Sequence, residues 1–227
     1  MKRSEINSLI RQAVVFAGKH RFLLPPFAFW TPQEWRKKGP EADEIRNCML
    51  GWDVTDFGLS KFRDTGLVLF TIRNGLYRDK RYTKPYAEKM LILEKGQICP
   101  MHFHWSKSED IINRGGGVLA VQLYNSSPSE RFAKTNVTVS LDGVRKTLKA
   151  GGIVRLEPGE SIFIPSRLYH KFWGEKGKLL LGEVSKVNDD RSDNRFYEPL
   201  GRFPKIDENE PARYLLFSEY PGRKKSA

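Results

Sequence analysis

The sequence predicts a mainly β chain, a short helical segment followed by an antiparallel β-barrel or jelly roll. Three observations predict it. Before Gly51, apolar residues recur at helical spacing between helix-start signals. From Gly66 onward, short β-rich runs are cut by Gly, Asn, Asp and Pro at the intervals of sandwiches and barrels. Asp142-Gly143 joins two alternating runs, and that dipeptide suits a type I′ hairpin, which needs positive φ at both central residues.

Helix one is expected from Ser4 to about Gly18, where Ile6, Ile10, Ala13, Val14 and Ala17 form one face, Ser4 caps and Gly18 stops. Pro25-Pro26 breaks the chain. Thr31-Pro32-Gln33-Glu34 is a capping box with proline at the first helical position, so a second helix runs to about Lys38, and Glu41 to Met49 adds a third. Strands are expected at Leu67–Ile72, Ala87–Leu93, Pro100–His104, Val118–Tyr124, Val137–Leu141, Val144–Leu148, Ile153–Leu156, Ser161–Ile164, His170–Trp173 and Lys178–Ser185. The Asp/Asn-rich stretch after Val187 and the Pro-containing segment to Tyr220 read as an extended wrap. Residues 1–227 are thus expected to form one domain, with a helical extension (1–50), a β core (51–187) and a C-terminal wrap (188–227).

Composition excludes several classes. Apolar residues at 39% and aromatics at 12% leave no room for wholesale disorder. The net charge of +12 is scattered and surrounds no nucleic-acid module; only Arg223-Lys224-Lys225 and pairs such as Lys37-Lys38 cluster. Cys48 and Cys99 fit neither a zinc ribbon nor a disulfide framework and read as free thiols. No signal peptide and no 18-residue apolar run is visible, so a cytoplasmic chain without membrane or nucleic-acid partners is expected.

Three of the four histidines fall in one pattern. His102 and His104 sit two apart on an expected strand, so both imidazoles share a face and can chelate. Glu109 follows across a tight Ser106-Lys107-Ser108 turn, and His170 opens a later strand. Three imidazoles and one carboxylate suit a divalent first-row metal: Zn, Fe, Co and Ni through the imidazoles, Mn through the carboxylate. Four protein ligands on a six-coordinate ion leave two adjacent positions for a substrate.

The spacing Gly96-x5-His102-x-His104-x4-Glu109-x6-Gly116 matches the first motif of the cupin superfamily, and Gly159-x5-Pro165-x4-His170 resembles the second. The second half departs at Arg167, where the pattern has glycine, and at Gly174, where it has asparagine. A closer resemblance lies in Gly51-Trp52-Asp53-Val54-Thr55-Asp56-Phe57-Gly58, Met101 to Asp110, Gly182 to Asp190, Asp193-Asn194-Arg195-Phe196 and Gly201-Arg202-Phe203-Pro204, which look like the D-lyxose isomerase family of cupins. The resemblance implies a cupin barrel, interconversion of D-lyxose with D-xylulose and of D-mannose with D-fructose, a manganese cofactor, and a cytoplasmic homodimer.

Such chemistry moves a carbonyl between C1 and C2 by removing the proton α to it, and a divalent cation stabilises the resulting enediolate as a Lewis acid. Hydride-shift isomerases commonly use two metals, and the sequence shows no second ligand cluster. The candidate proton-transfer groups are Glu183 and Lys89, which lie on different strands and so could flank the substrate. Asp189 and Arg195 are candidates for sugar hydroxyls, and Trp105 and Trp173, adjacent to ligands, for a sugar-stacking wall. The same cage would serve an iron dioxygenase or a non-catalytic sugar-binding cupin, but Trp105, Lys89, Glu183 and the Asp-rich loop favour a polyhydroxylated substrate.

Overall fold

A computed structural model describes residues 1–77, 79–190, 192–201 and 204–222. The Arg223-Lys224-Lys225 tail and the Arg202-Phe203 pair singled out above lie outside the described residues. Three helices come first: α1 (Arg3–Lys19), α2 (Pro32–Arg36) and α3 (Asp43–Asn47). The Thr31 capping box forms, with the Glu34 carboxylate accepting from the Thr31 N–H at 2.7 Å. Helix α1 departs from expectation at both ends. Lys2, not Ser4, is its N-cap, and the chain turns away at Arg21 (φ 56), so Gly18 stays inside the helix.

The rest is antiparallel β: β1 (Gly51–Thr55), β2 (Leu67–Arg73), β3 (Tyr86–Leu93), β4 (Ile98–His104), β5 (Glu109–Asn125), β6 (Val137–Leu141), β7 (Val144–Leu148), β8 (Ile153–Leu156), β9 (Ser161–Ile164), β10 (Leu168–Lys186) and β11 (Asn194–Phe196). The main hydrogen-bonded order is β1-β2-β3-β10-β5-β9-β6-β7, with β4 on β10, β11 on β4 and β8 on β5. β1 and β7 stand at the two ends of this order, so the sheet does not close on itself. Asp142 and Gly143 both take positive φ (48° and 84°), as the β6–β7 hairpin requires.

Two long strands organise this sheet. β5 and β10 pair from Leu168↔Asn125 to Ser185↔Glu109, with register shifts near Glu175–Leu181; the sequence predicts β10 in two pieces and only the Val118–Tyr124 part of β5. The interruption is a bend, and glycines permit it. A Cβ on Gly116 (φ +97) would stand 2.0 Å from the Lys178 carbonyl oxygen, and one on Gly117 would stand 2.3 Å from that of Glu175.

Alternation along β2 and β3 then sends Leu67, Leu69, Leu91 and Leu93 into the interior, with Ile111, Leu119, Val121, Leu123, Leu179 and Leu181. Val68, Phe70, Met90 and Ile92 point the other way, where Ile6, Ile10, Ala13 and Ala17 of α1 cover them. Both faces of β2 and β3 are therefore buried, which explains their nearly continuous apolar runs. The C-terminal segment crosses back over α1. Arg3 N–H donates to Asp207 O at 2.8 Å, Asp207 N–H to Met1 O at 2.9 Å, and the buried Arg3 guanidinium pairs with Glu208 and Glu219. Among the described residues no helix is long and apolar enough to cross a membrane.

The bend predicts a test. Gly116→Ala adds a methyl group at a left-handed φ and against a backbone carbonyl, so it should lower stability by more than about 2 kcal/mol in urea denaturation. A variant within about 0.5 kcal/mol of the parent contradicts this account of the corner.

Candidate metal centre

The interior is apolar at one end and charged at the other. A cavity is lined by Leu67, Leu69, Leu91, Ile111 and Phe172 on one side and by His102, His104, Lys107, Glu109, Lys89 and Glu183 on the other. Cross-strand register places the polar group. His102 on β4 stands opposite His170 on β10, and Glu183 on β10 stands opposite Lys89 on β3. The bend brings Glu109, the first residue of β5, beside Ser185.

The three imidazoles converge, with one nitrogen of each within 4.8 Å of the others, and all three are buried. His102 Nδ1 lies 2.7 Å from Pro100 O, and His170 Nδ1 lies 3.0 Å from Leu168 O. A carbonyl can only accept, so each Nδ1 carries the proton and each Nε2 lone pair faces inward. Glu109 Oε1 sits 3.3 Å from His104 Nε2 and 3.1 Å from His170 Nε2. Among the described residues, His104 Nδ1 and His170 Nε2 are buried with no hydrogen-bond partner. Such orphaned nitrogens cost about 1–3 kcal/mol each. A coordinated cation would remove that cost at His170, and the donor set of three imidazoles and one carboxylate fits a divalent transition metal.

Burial first, and then the other two imidazoles, hold His102 well below its ordinary value; burial and then the Lys107 charge lower His104. Both are therefore neutral near pH 7, the state that binds metal. For Glu109, burial works to raise the carboxyl, but the Lys107 ammonium and His104 outweigh it and bring it well below the carboxylate range. Burial likewise works against the Lys107 charge, and Glu109, Glu183 and Asp190 overcome it, raising that group above its ordinary value.

Lys107 was read from the sequence only as part of a turn, yet it is the hub of the charged end. Its Nζ lies 2.7 Å from Glu109 Oε2, 2.8 Å from Glu183 Oε1 and 3.3 Å from Asn188 Oδ1. Lys89 Nζ donates to Asn188 Oδ1 at 2.6 Å and lies 3.4 Å from Glu183 Oε1 and 3.6 Å from Asp190. Lys89 and Glu183 therefore sit side by side and do not flank the cavity from opposite walls. Asn74 fixes Asn188 through its backbone, accepting its N–H at 3.0 Å and donating to its carbonyl at 2.9 Å.

Four other candidates fall elsewhere, Trp105, Trp173 and Arg195 because side chains alternate along an extended chain. Trp105 follows the inward-pointing His104, so alternation turns it out, where it lies 36% exposed with Arg167 stacked 4.9 Å from its ring. Trp173 follows the inward Phe172 and donates to Glu175. Arg195 stands between the cavity-lining Asn194 and Phe196, and its guanidinium turns out to Glu130 at 2.6 Å. Asp189 accepts from Ser192, whereas its neighbour Asp190 lines the cavity. The sequence reading thus passed over Lys107, Asn188, Asp190, Asn194 and Phe196. The only signal for Lys107 was its position two residues before Glu109 on the same side of an extended chain.

Residues 1–220 match the family model described as D-lyxose isomerase. The chain belongs to the D-lyxose isomerase family. It is 49% identical over 223 residues to the D-lyxose/D-mannose isomerase of Escherichia coli O157:H7, covering 97% of this chain and 98% of that one, and it matches the enzyme of that name from Serratia proteamaculans to the same extent. Among solved structures it is similar in fold to L-ribose isomerase of Cellulomonas parahominis (TM-score 0.59, 16% identity, covering 91% of this chain and 98% of that one). L-Ribose isomerase of Acinetobacter sp. DL28, in complex with L-ribose, is similar to the same degree (TM-score 0.59, 15% identity, covering 90% and 98%). In this family member the turn before His170 is kept although Arg167 replaces the glycine of the cupin pattern. Arg167 takes φ +61, at a cost of about 1–2 kcal/mol, and its N–H donates to His104 O at 2.7 Å.

The depressed histidines set a pH window for the metal-free protein. His102 and His104 have an ordinary value of 6.5 when unfolded and lower values when folded, so below pH 6.5 the unfolded chain takes up protons that the folded one refuses. Urea stability of the metal-free protein should therefore fall between about pH 7 and pH 5.5, before carboxylates titrate. Constant stability across that window contradicts the burial of two neutral imidazoles.

Proposed function

We propose that this protein is a metal-dependent aldose–ketose isomerase for free sugars, converting D-lyxose to D-xylulose and D-mannose to D-fructose. The observation that carries the reading is the pairing, in one cavity, of an inward-facing donor set with a carboxylate that has one oxygen in reserve. Every recorded contact of Glu183 falls on Oε1: Lys107 at 2.8 Å, Ser185 Oγ at 3.3 Å and Lys89 at 3.4 Å. Oε2 takes no hydrogen bond among the described residues. His102, His104, His170 and Glu109 would hold the ion, Mn²⁺ on the family resemblance, with Fe, Co, Ni and Zn compatible with the same donors.

When bound, the cation supplies Lewis-acid stabilisation of the negative charge that develops on O1 and O2. The chain's own residues do the rest. Glu183, which lines the cavity, accepts the proton from C2 of the aldose and returns it to C1 while the O2 hydroxyl proton passes to O1, the steps that define an enediol route. Lys107 and Lys89 hold the Glu183 carboxylate in place from one oxygen, and Lys89 steers the sugar oxygens. The apolar wall of Leu67, Leu69, Leu91 and Phe172 excludes water, which limits loss of the proton.

The charge balance supports a free sugar over a sugar phosphate. The cavity's two ammonium groups, Lys89 and Lys107, are both engaged by the carboxylates of Glu109, Glu183 and Asp190. No arginine lines the cavity among the described residues, so nothing there is left to receive a dianionic phosphate. The relatives named D-lyxose/D-mannose isomerase agree with that choice.

The test is turnover in D₂O. The Mn²⁺-loaded protein incubated with D-lyxose or D-mannose should yield the ketose with solvent deuterium at C1, and Glu183→Gln should lower kcat by at least about 10²-fold with metal content unchanged. Complete retention of a C2 label over many turnovers would sink the enediol route. A Glu183→Gln enzyme with near-parental kcat would move the base elsewhere.

A further inference from the structure

The loop between β10 and β11 supplies more than cavity wall. Asp190, Asn194 and Phe196 face the cavity, and Asp193 between them turns back to the stretch that joins His104 to Glu109. Its carboxylate accepts the Ser106 N–H at 2.7 Å on Oδ1 and the Lys107 N–H at 2.9 Å on Oδ2. Its carbonyl accepts the Trp105 N–H at 3.0 Å, and its own N–H donates to Asp189 O at 3.0 Å. Three successive amides of the turn are thus held by one residue that is only 9% exposed. Two of those bonds are to a charged oxygen, the stronger kind.

What that turn delivers is the Lys107 side chain. Its ammonium occupies Glu109 Oε2 and leaves Oε1 toward His104 and His170. A carboxylate with both oxygens available can bind a cation through one or both. A Glu109 held by Lys107 has only one to give.

We propose that Asp193 is a positioning residue for the isomerisation, acting through Lys107. By fixing the turn it keeps Lys107 on one oxygen of Glu109 and one of Glu183, so that Glu109 would offer a bound cation Oε1 alone and would leave room on it for the sugar. This rests on the metal-isomerase reading above. A purely structural staple would alter stability and nothing else.

The experiment uses the full chain loaded with Mn²⁺ and three variants: Asp193→Asn, Lys107→Met and the double. Asn at 193 keeps the shape but turns an NH₂ toward one of the two amides. Thermal midpoint, kcat and KM on D-mannose, and the water-proton relaxivity of the bound Mn²⁺, which reports its exchangeable positions, are measured together. Asp193→Asn should lower kcat by about tenfold or more with KM within about threefold. Relaxivity per bound ion should fall by roughly half in both single variants as Glu109 takes a second position. The double variant should be no slower than Lys107→Met within about twofold, because the two act in series.

Parental kcat and relaxivity in Asp193→Asn overturn the proposal, and so do single effects that multiply in the double variant. A lowered thermal midpoint with unchanged kcat and relaxivity also overturns it. If Asp193→Asn does not fold, parental relaxivity in Lys107→Met overturns it alone. A parent that binds no metal or forms no ketose fails the preceding reading; a parent that does both, with indistinguishable variants, fails only this one.

Discussion

A buried ammonium, that of Lys107, needs carboxylates beside it, and most of the site can be understood as the means of providing them. An unpaired buried charge costs several kcal/mol, and removing one partner of a buried pair typically costs about 3–5 kcal/mol. Lys107 is met by Glu109 from the start of β5 and by Glu183 from the far half of β10. Those two strands bring their carboxylates together because they stay paired past the glycine bend. The charged group is therefore possible only in the folded-over sheet. Among the described residues, three carboxylates stand beside two ammonium groups, a setting in which a divalent cation would be favoured.

The same constraint explains why the outer parts of the chain are not ornament. Helix α1 covers the outward side chains of β2 and β3, and so holds in place the strand that carries Lys89. The C-terminal return adds β11 to the edge of β4, opposite His104 and His102, and sets Phe196 5.5 Å from the His102 ring. Phe57, 5.6 Å from Phe196, closes the same rim from the β1 side. Segments far apart in sequence thus converge on one set of imidazoles.

The β pattern was legible because half-buried strands bounded by turn residues announce themselves locally. Two strands were not. β1 carries a buried Asp53 and lacks clear alternation, and β11 is three residues long and exists through its pairing with β4. The shared face of His102 and His104 was legible because a period of two puts both side chains on one side of a strand. Trp105 and Trp173 misled for the complementary reason: a residue next to a ligand on a strand points away from it. Lys107 and Asn188 were hidden for a third reason, since their roles depend on tertiary anchors, Asp193 and Asn74, lying 86 and 114 residues away.

The central claim, that His102, His104, His170 and Glu109 form one first-row metal site, is tested most directly by counting metal. Native mass spectrometry of the Mn²⁺-equilibrated protein and of His104→Ala, with circular dichroism as the control for fold, makes that count. The account predicts one ion per parent chain and none per chain in a folded His104→Ala variant, since removing one of four ligands weakens the site by far more than tenfold. A folded variant that keeps its ion, or a parent that takes up none, would contradict it.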